Sequence, residues 1–187
     1  MTTQNEPEAG TRSVWQLDPY HTQVEFVAKH LGMMKVRGHF AEVSATGTID
    51  PDKPEASSVA VTIQTASIKT NNEKRDKDLL ASSFLEADKY PTITFKSTKI
   101  EAAGQDHFTL TGDLTIKGNT RPVTLSVVKY GEFNDPNMGH RIGYGAEGQI
   151  NRKDFGMSFN MMLDGKLIVS EEIQIHIEGE FVEQKPE

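Results

Sequence analysis

The stretch GDLTIKGNTRPVTL, residues 112–125, decides the fold class of this chain. Apolar and polar residues alternate on both sides of a short Lys-Gly-Asn turn at 117–119, with Leu114 and Ile116 on one face and Thr115 on the other. A period of two is typical of a strand with one buried and one wet face, and a short glycine turn is typical of a hairpin. The stretch therefore predicts two neighbouring antiparallel strands.

The same alternation continues along the chain in both directions. Predicted strands cover residues 24–28, 35–49, 59–65, 92–100, 108–116, 121–130, 142–150 and 173–181. A single helix is predicted over 71–81, where Thr70 and Glu73 match a capping box and Leu79 and Leu80 point the last turn at the core. We predict an all-β fold, a single lipocalin-like antiparallel β-barrel of about eight strands with one short helix. An open two-sheet sandwich would show the same periodicity.

Length and tail composition indicate one domain. A chain of 187 residues suits a single core, and no linker or repeat interrupts residues 14–182. Residues 1–13 and 183–187 lack apolar periodicity, so we predict a disordered N-terminal tail and a short C-terminal tail.

Composition excludes several classes of function. The net charge of −7 and the scattered lysines and arginines argue against nucleic acid as a partner. No run approaches the roughly 20 apolar residues of a membrane span, so we predict no integral membrane segment. Residues 1–13 show no apolar leader, which predicts a cytoplasmic protein, with a periplasmic location only if a leader was removed.

Catalytic and metal-binding patterns are missing from the sequence. The chain has no cysteine, and no two of its six histidines have the i, i+4 spacing of a helical zinc pair. There is no nucleophile elbow, phosphate loop or dinucleotide fingerprint. We predict a protein that is not an enzyme, with no catalytic residue, no metal and no cofactor.

The inward face of the predicted strands mixes large and very small residues. Phe26 and Phe95 are large, whereas Ala28, Gly112 and Ala146 are small. Small inward residues favour a hollow barrel that holds a ligand. The opposite interpretation, in which large neighbours fill the space that the small residues leave, fits the same pattern.

An ordered series of short motifs then identifies the chain as similar to the YceI-like family. The series reads Trp15-Gln-Leu-Asp18, His21, Val24-Glu-Phe26, Lys29-His30-Leu-Gly32, Val36-Arg-Gly38-His-Phe40, Gly47-Thr-Ile-Asp50, Arg75-Asp76, Leu79, Ser83-Phe84, Tyr90-Pro-Thr-Ile-Thr-Phe95, Gly112-Asp-Leu-Thr-Ile-Lys-Gly118, Arg121-Pro122-Val123, Asn151-Arg152 and Asp154-Phe155-Gly156. The resemblance covers about residues 14–182. It implies a bacterial, lipocalin-like barrel that encloses a polyisoprenoid, an isoprenoid quinone or a similar long lipid.

The resemblance, together with the inward pattern, predicts a ligand site. The predicted ligand-binding residues are Phe26, His30, Met34, Phe40, Leu80, Phe84, Phe95, Leu114, Met157, Phe159 and Met161. Apolar members would hold the chain of a long-chain apolar lipid as carrier or store, and His30 would bind a polar head group. A homodimer is compatible with the resemblance. Two alternatives stay open: an enzyme or redox protein acting on a bound quinone or lipid through His30 or Arg152, and a ligand-free, stress-related barrel.

Overall fold

The computed structural model describes residues 13–50 and 53–185. Most of the tail predicted at 1–13 and the end of the tail predicted at 183–187 lie outside these ranges. Ser13 and Glu183 are both in strands, so within the described residues the strands reach one residue past each end of the predicted domain.

The described residues contain twelve strands and one α-helix. The strands are β1 (Ser13–His30), β2 (Met34–Phe40), β3 (Val43–Ile49), β4 (Ser58–Gln64), β5 (Ile68–Lys69), β6 (Thr92–Gly104), β7 (His107–Ile116), β8 (Asn119–Asp135), β9 (Gly139–Asn151), β10 (Met162–Leu163), β11 (Lys166–Leu167) and β12 (Glu172–Glu183). The helix is α1 (Glu73–Leu80), and short 3₁₀ helices span Pro54–Ala56, Thr65–Ser67 and Arg152–Phe155.

Eight of the described strands close into an antiparallel barrel. The order around the ring is β12-β9-β8-β7-β6-β4-β3-β1, and β1 pairs with β12 to complete it. The closing register places Leu17 opposite Phe181 and Phe26 opposite Ile175. The predicted barrel is confirmed, and the open sandwich is not formed. Closure removes the unpaired strand edges that an open sheet would expose.

The hairpin that the sequence predicted at 117–119 has the expected geometry. Strand β7 ends at Ile116 and β8 begins at Asn119, which leaves Lys117 and Gly118 as a two-residue loop. Both loop residues have positive φ, 51° and 72°, as a type I′ hairpin turn requires. Such a turn matches the right-handed twist of the two strands.

The single strand predicted at 35–49 is wrong, because the chain breaks between β2 and β3. Strand β2 pairs with the second half of β1, whereas β3 pairs with the first half. Since β1 has 18 residues, it is long enough for two shorter strands to follow one another along the same edge. Strand β2 also pairs with β5, which extends the sheet past the ring.

Helix α1 is shorter than predicted and has a different cap. Asn72 is the N-cap, and its side chain accepts a hydrogen bond from the backbone N–H of Arg75 (2.9 Å). Thr70, the predicted cap, lies outside the helix, and its hydroxyl donates to Asp76 Oδ1 (2.6 Å). Arg75 Nε donates to the Thr70 hydroxyl oxygen (2.8 Å), so Arg75 and Asp76 tie the helix to β5.

The two ends of the barrel differ in what covers them. At the capped end, α1, the turns at 81–91 and the 3₁₀ helix Arg152–Phe155 close over the ring and bury Phe155 almost completely. The open end holds the first residues of β1, and there the 3₁₀ helix Pro54–Ala56 packs against β6. The cavity described below runs between these ends.

Two of the small inward residues are covered by aromatic rings. A Cβ at Gly38 would lie 2.3 Å from the ring of Phe26, and a Cβ at Gly112 would lie 2.3 Å from the ring of Phe95. Any other residue at these positions would displace a ring. At these glycines, large neighbours fill the space, as the second interpretation of the sequence pattern held.

Candidate ligand-binding site

A cavity of about 610 Å³ lies inside the barrel, within the range of small-molecule sites. Inward residues of the barrel strands form its wall, and nearly all of them are apolar. The aliphatic part of the wall includes Leu17, Val24, Ala28, Val61, Ile63, Leu110, Leu114, Val127, Ala146, Ile173, Ile175 and Ile177. Phe26, Phe40, Phe95, Phe108 and Phe181 add aromatic rings.

The burial of these wall residues indicates a hollow interior. Phe26, Phe95, Leu110 and Val127 point into a closed barrel, yet each is only partly buried. In a filled barrel their side chains would contact one another and lose nearly all of their accessible surface. Instead they keep apolar surface that faces the cavity. The glycine positions are therefore filled, but the middle of the barrel is not.

Polar groups line the cavity only sparsely, and mostly towards its ends. At the open end, Ser57, Asp106 and Lys129 contribute to the wall, and Asp106 is exposed to solvent. Lys129 Nζ pairs with the Glu132 carboxylate (2.6 Å). At this end the charge of Lys129 is therefore already paired with a carboxylate, and the Asp106 carboxylate meets water.

At the capped end, Arg152 lines the cavity as a buried cation, 2% exposed. Its guanidinium donates from Nε to the Ser170 carbonyl (2.9 Å), from Nη1 to the Met157 carbonyl (2.8 Å) and from Nη2 to the Val169 carbonyl (3.1 Å). Burial lowers the pKa of Arg152 from its ordinary value. Arg152 joins the 3₁₀ helix to the segment that returns towards β12.

Tyr144 is a tyrosine in the wall of the cavity. It lies in β9 with its ring 6.3 Å from the ring of Phe181, centre to centre, in an edge-on arrangement. Burial, with a smaller contribution from the charge of Glu132, raises the pKa of Tyr144 to about 12. The phenol is therefore neutral at physiological pH, which suits an apolar cavity.

Six of the eleven predicted ligand-binding residues line the cavity. They are Phe26, Phe40, Phe84, Phe95, Leu114 and Met157. They come from β1, β2, β6, β7 and the capped end, and the closure of the barrel brings them to one space.

Two of the other five lie just behind the cavity wall, which corrects their predicted position. Phe159 stacks on Phe84 with the ring centres 4.9 Å apart, on the side away from the cavity. Leu80 packs against the core, while its neighbour Leu79 lines the cavity. Consecutive helical residues point about 100° apart, so only one of the two leucines reaches the cavity.

The remaining three lie outside the barrel, which also corrects the prediction. His30 is exposed at the end of β1, where it bridges to Val169. Met34 is 67% exposed beside the β1–β2 turn, and Met161 is 57% exposed next to the β10–β11 hairpin. These elements extend past the rim of the ring. A head-group contact through His30 therefore has no geometric support.

Some wall residues were not selected from the sequence. Leu110, Ile175 and Ile177 lie on the alternating faces of β7 and β12, so the period-two pattern carried the signal for them. Val169 comes from an irregular segment, and Ile68 comes from the two-residue strand β5. Nothing in their local sequence marks them as cavity residues.

A polar belt surrounds the open end on β1, β8, β9 and β12. It consists of Asp18, His21, Glu132, His140, Arg141, Glu180 and Glu183. Asp18, His21 and Glu180 bring ligand-type atoms within 4.8 Å of one another. Arg141 pairs with both carboxylates, at 2.9 Å to Asp18 and more closely to Glu180. Because this cation already compensates the acidic charge, we assign no metal to the cluster.

Comparison with known proteins identifies the family. A family model described as the YceI-like domain matches residues 15–181. The chain belongs to the YceI-like family. Protein YceI of Shigella flexneri is 41% identical over 165 residues, which cover 88% of this chain and 83% of that protein.

Solved structures support the barrel fold. BcnA of Burkholderia cenocepacia matches this YceI-like chain with a TM-score of 0.78 and 27% identity, over 88% of this chain and 98% of BcnA. A polyisoprenoid-binding domain from Saccharophagus degradans, implicated in plant cell wall breakdown, matches with a TM-score of 0.65 and 14% identity, over 92% of this chain and 100% of that domain. At that identity the second match concerns the fold alone. Among the described residues, no helix is long and apolar enough to span a membrane.

Proposed function

We propose that this protein binds a long apolar lipid of the isoprenoid type, a polyisoprenoid or an isoprenoid quinone, inside its barrel, and carries or stores it. The observation that supports the proposal most directly is the cavity of about 610 Å³ whose wall is almost entirely apolar. The polyisoprenoid-binding domain from Saccharophagus degradans has the same fold and supports the ligand class.

The energetics favour an extended apolar chain over a compact polar molecule. Burial of apolar surface contributes roughly 25 cal/mol per Å², so a chain that covers the wall gains affinity in proportion to its length. A charged ligand would lose its hydration in the middle of the barrel without a partner there. The polar wall residues at the two ends could only contact the ends of a ligand.

The proposal is that the protein binds its ligand without changing it chemically. The alternative of an enzyme that acts on a quinone or lipid required His30 or Arg152 to polarise a head group. His30 is outside the cavity, and three of the five N–H bonds of Arg152 are used on backbone carbonyls. We therefore propose no reaction.

The direct test is to fill the middle of the cavity from within. Ala146 is an inward cavity residue of β9, and Ala146→Phe places a ring where the ligand chain would lie. Ala60→Phe is the matched control, because Ala60 is exposed on the outside of β4. We expect Ala146→Phe to weaken the binding of a fluorescent prenyl chain by about tenfold or more, while Ala60→Phe keeps wild-type affinity.

The ligand is identified by extraction of the freshly purified protein with organic solvent and mass spectrometry of the extract. A stoichiometric isoprenoid or quinone, reduced in Ala146→Phe and retained in Ala60→Phe, is the expected result. No bound lipid in the wild-type extract, together with no uptake of added prenyl lipids, would overturn the proposal.

A further inference from the structure

Two neighbouring tips at the capped end carry exposed apolar side chains. The first tip is the β1–β2 turn, which carries Met33 and Met34. The second tip is the β10–β11 hairpin together with the residue before it, and it carries Met161, Met162 and Leu163. All five side chains are 56–67% exposed. A Cβ at either tip glycine, Gly32 or Gly165, would have no neighbouring atom within 4 Å, so both tips project away from the body.

The two tips lie side by side and form one surface, because hydrogen bonds join the segments that carry them. The backbone N–H of Leu31 donates to the Ile168 carbonyl (3.2 Å), and the N–H of Ser170 donates to the Lys29 carbonyl (3.0 Å). A groove between the tips is lined by both, from Leu31 and Met33 on one side to Met162 on the other. Large exposed apolar side chains on adjacent protruding turns mark an interaction site.

Basic side chains lie beside these tips and continue along β2: Lys29, Lys35 and Lys166 line the groove, whereas Arg37 and Lys69 lie farther from the tips. Lys29 is on β1, Lys35 and Arg37 are on β2, Lys69 is on β5 and Lys166 is on β11. All five are exposed, and within the described ranges none of them forms an ion pair. We call the five apolar tip residues and these five cations the basic methionine surface.

The strand register makes the clustering of charge unusual. Lys29 stands directly opposite Lys35 across β1 and β2, an arrangement of like charges that destabilises a sheet. Of the two acids that border the groove, Glu171 is already paired with Lys153, which leaves Glu172 beside Lys29, Lys35 and Lys166. Asp164, in the β10–β11 turn, is the acid at the tip itself, so the cations outnumber the acids that lie beside them. The chain as a whole carries a net charge of −7, so this positive patch is opposite in sign to the protein that bears it.

We infer that the basic methionine surface docks on an anionic phospholipid bilayer. Flexible apolar side chains on projecting turns can enter the boundary between head groups and acyl chains, and the lysines beside them can contact anionic head groups. Unbranched methionines adapt to a disordered apolar phase. The choice of a bilayer over an acidic protein rests on the proposed function, since a long prenyl lipid resides in membranes.

The location of this surface connects it to the cavity. Val169, which bridges to His30 beside the tips, also lines the cavity, as does Ala28 of β1. Docking would therefore bring the capped end of the barrel, rather than the open end with its acidic belt, against the membrane.

The test is sedimentation of the ligand-free protein with vesicles of phosphatidylcholine alone or mixed with phosphatidylglycerol. We expect binding to the mixed vesicles that weakens as salt is added. The charge reversal K29E/K35E should reduce that binding by about tenfold or more. K96E/R121E is the matched control with the same change in net charge, because Lys96 and Arg121 are exposed cations on β6 and β8 that form no ion pair among the described residues.

A second pair of variants tests the apolar tips. M33S/M162S should reduce vesicle binding, whereas M138S should not, because Met138 is equally exposed but lies at the β8–β9 turn at the other end of the barrel. Failure of the wild type to bind the mixed vesicles, or equal losses in K29E/K35E and K96E/R121E, would overturn the inference. Since ligand uptake is measured separately with Ala146→Phe, either proposal can fail while the other holds.

Discussion

The open end and the capped end of the barrel hold their charges in opposite ways. At the open end, Asp18 and Arg141 form a partly exposed ion pair that His21 and Glu180 join. At the capped end, Arg152 is buried and is held by three backbone carbonyls. The first arrangement depends on the protonation state of Asp18, and the second does not. The ends should therefore differ in how much they stabilise the fold and in how they respond to pH.

The largest expected effect is at Arg152. Arg152→Met removes three hydrogen bonds and leaves the buried carbonyl of Met157 and the partly buried carbonyls of Val169 and Ser170 without their donor. Since hydrogen bonds from a charged donor contribute about 1.5–3 kcal/mol each, the free energy of unfolding should fall by about 3 kcal/mol or more. Urea unfolding measures this. Arg152→Lys, which keeps the charge but not the planar set of donors, should fall in between. A loss smaller than about 0.5 kcal/mol in Arg152→Met would show that the segment 156–170 is held by other contacts.

The next effect is at Asp18, and it disappears in acid. Hydrogen bonds from His21 and Arg141 lower the pKa of Asp18 to about 2, below the value of about 3.9 for a free aspartate. Stabilisation by this carboxylate is present above about pH 4 and is lost as the pH falls towards the folded pKa. Asp18→Asn should therefore be less stable than wild type at pH 6, and the difference should shrink as the pH approaches 2. A constant difference in unfolding temperature across this range would contradict the assignment.

A smaller effect is expected at His140, with the opposite sign. Burial alone would lower the pKa of His140, but hydrogen bonds with Glu183 (2.7 Å) and Glu132 (2.5 Å) outweigh it and raise the pKa. The stabilisation is therefore complete below about pH 6.5, the ordinary histidine value, and is lost as the pH rises through the folded pKa.

His140→Gln should accordingly lower the unfolding temperature by about 2–4 °C at pH 6 and by less at pH 9. His176, whose Nδ1 lies 3.4 Å from a carboxylate oxygen of Glu147 on an exposed face, offers the control variant His176→Gln. If His176→Gln lowers the unfolding temperature as much as His140→Gln or more, the hydrogen bonds of His140 do not stabilise the open end in the way described.

The smallest effect should come from the exposed ion pair of Lys153 and Glu171 at the capped end. The two charges are 3.0 Å apart, but both side chains remain accessible to water and salt. Lys153→Ala should leave the unfolding temperature unchanged within measurement error. A clear drop would mean that the capped end also depends on exposed charge, and the contrast between the two ends would weaken.

Much of the fold followed from local pattern. The alternation in β7, β9 and β12 predicted their buried faces, and the Lys117-Gly118 turn predicted the hairpin, because both features depend on neighbours in the sequence. The break between β2 and β3 could not be predicted this way. It arises because β1 is long enough to pair with both strands, which is a property of the assembled sheet.

The candidate site shows the same division. Phe26, Phe40 and Phe95 come from strand faces that line the cavity, since barrel closure directs such faces inward. Met34 and Met161 were placed there because methionine suits an apolar ligand, yet they lie on tips beyond the rim. Composition and residue type cannot show where a strand passes the end of the ring.

By itself, the sequence determined the class of fold, the hairpin geometry, the family and the inward faces of most strands. These depend on a period of two, on turn residues and on motifs, all of which are local. Only the tertiary structure decided that Gly38 and Gly112 lie beneath aromatic rings while the centre of the barrel stays hollow. The tertiary structure also decided that Arg152 is buried at the capped end and that methionines and lysines lie together on the outside of that end. These features depend on which residues distant in the chain become neighbours when the barrel closes.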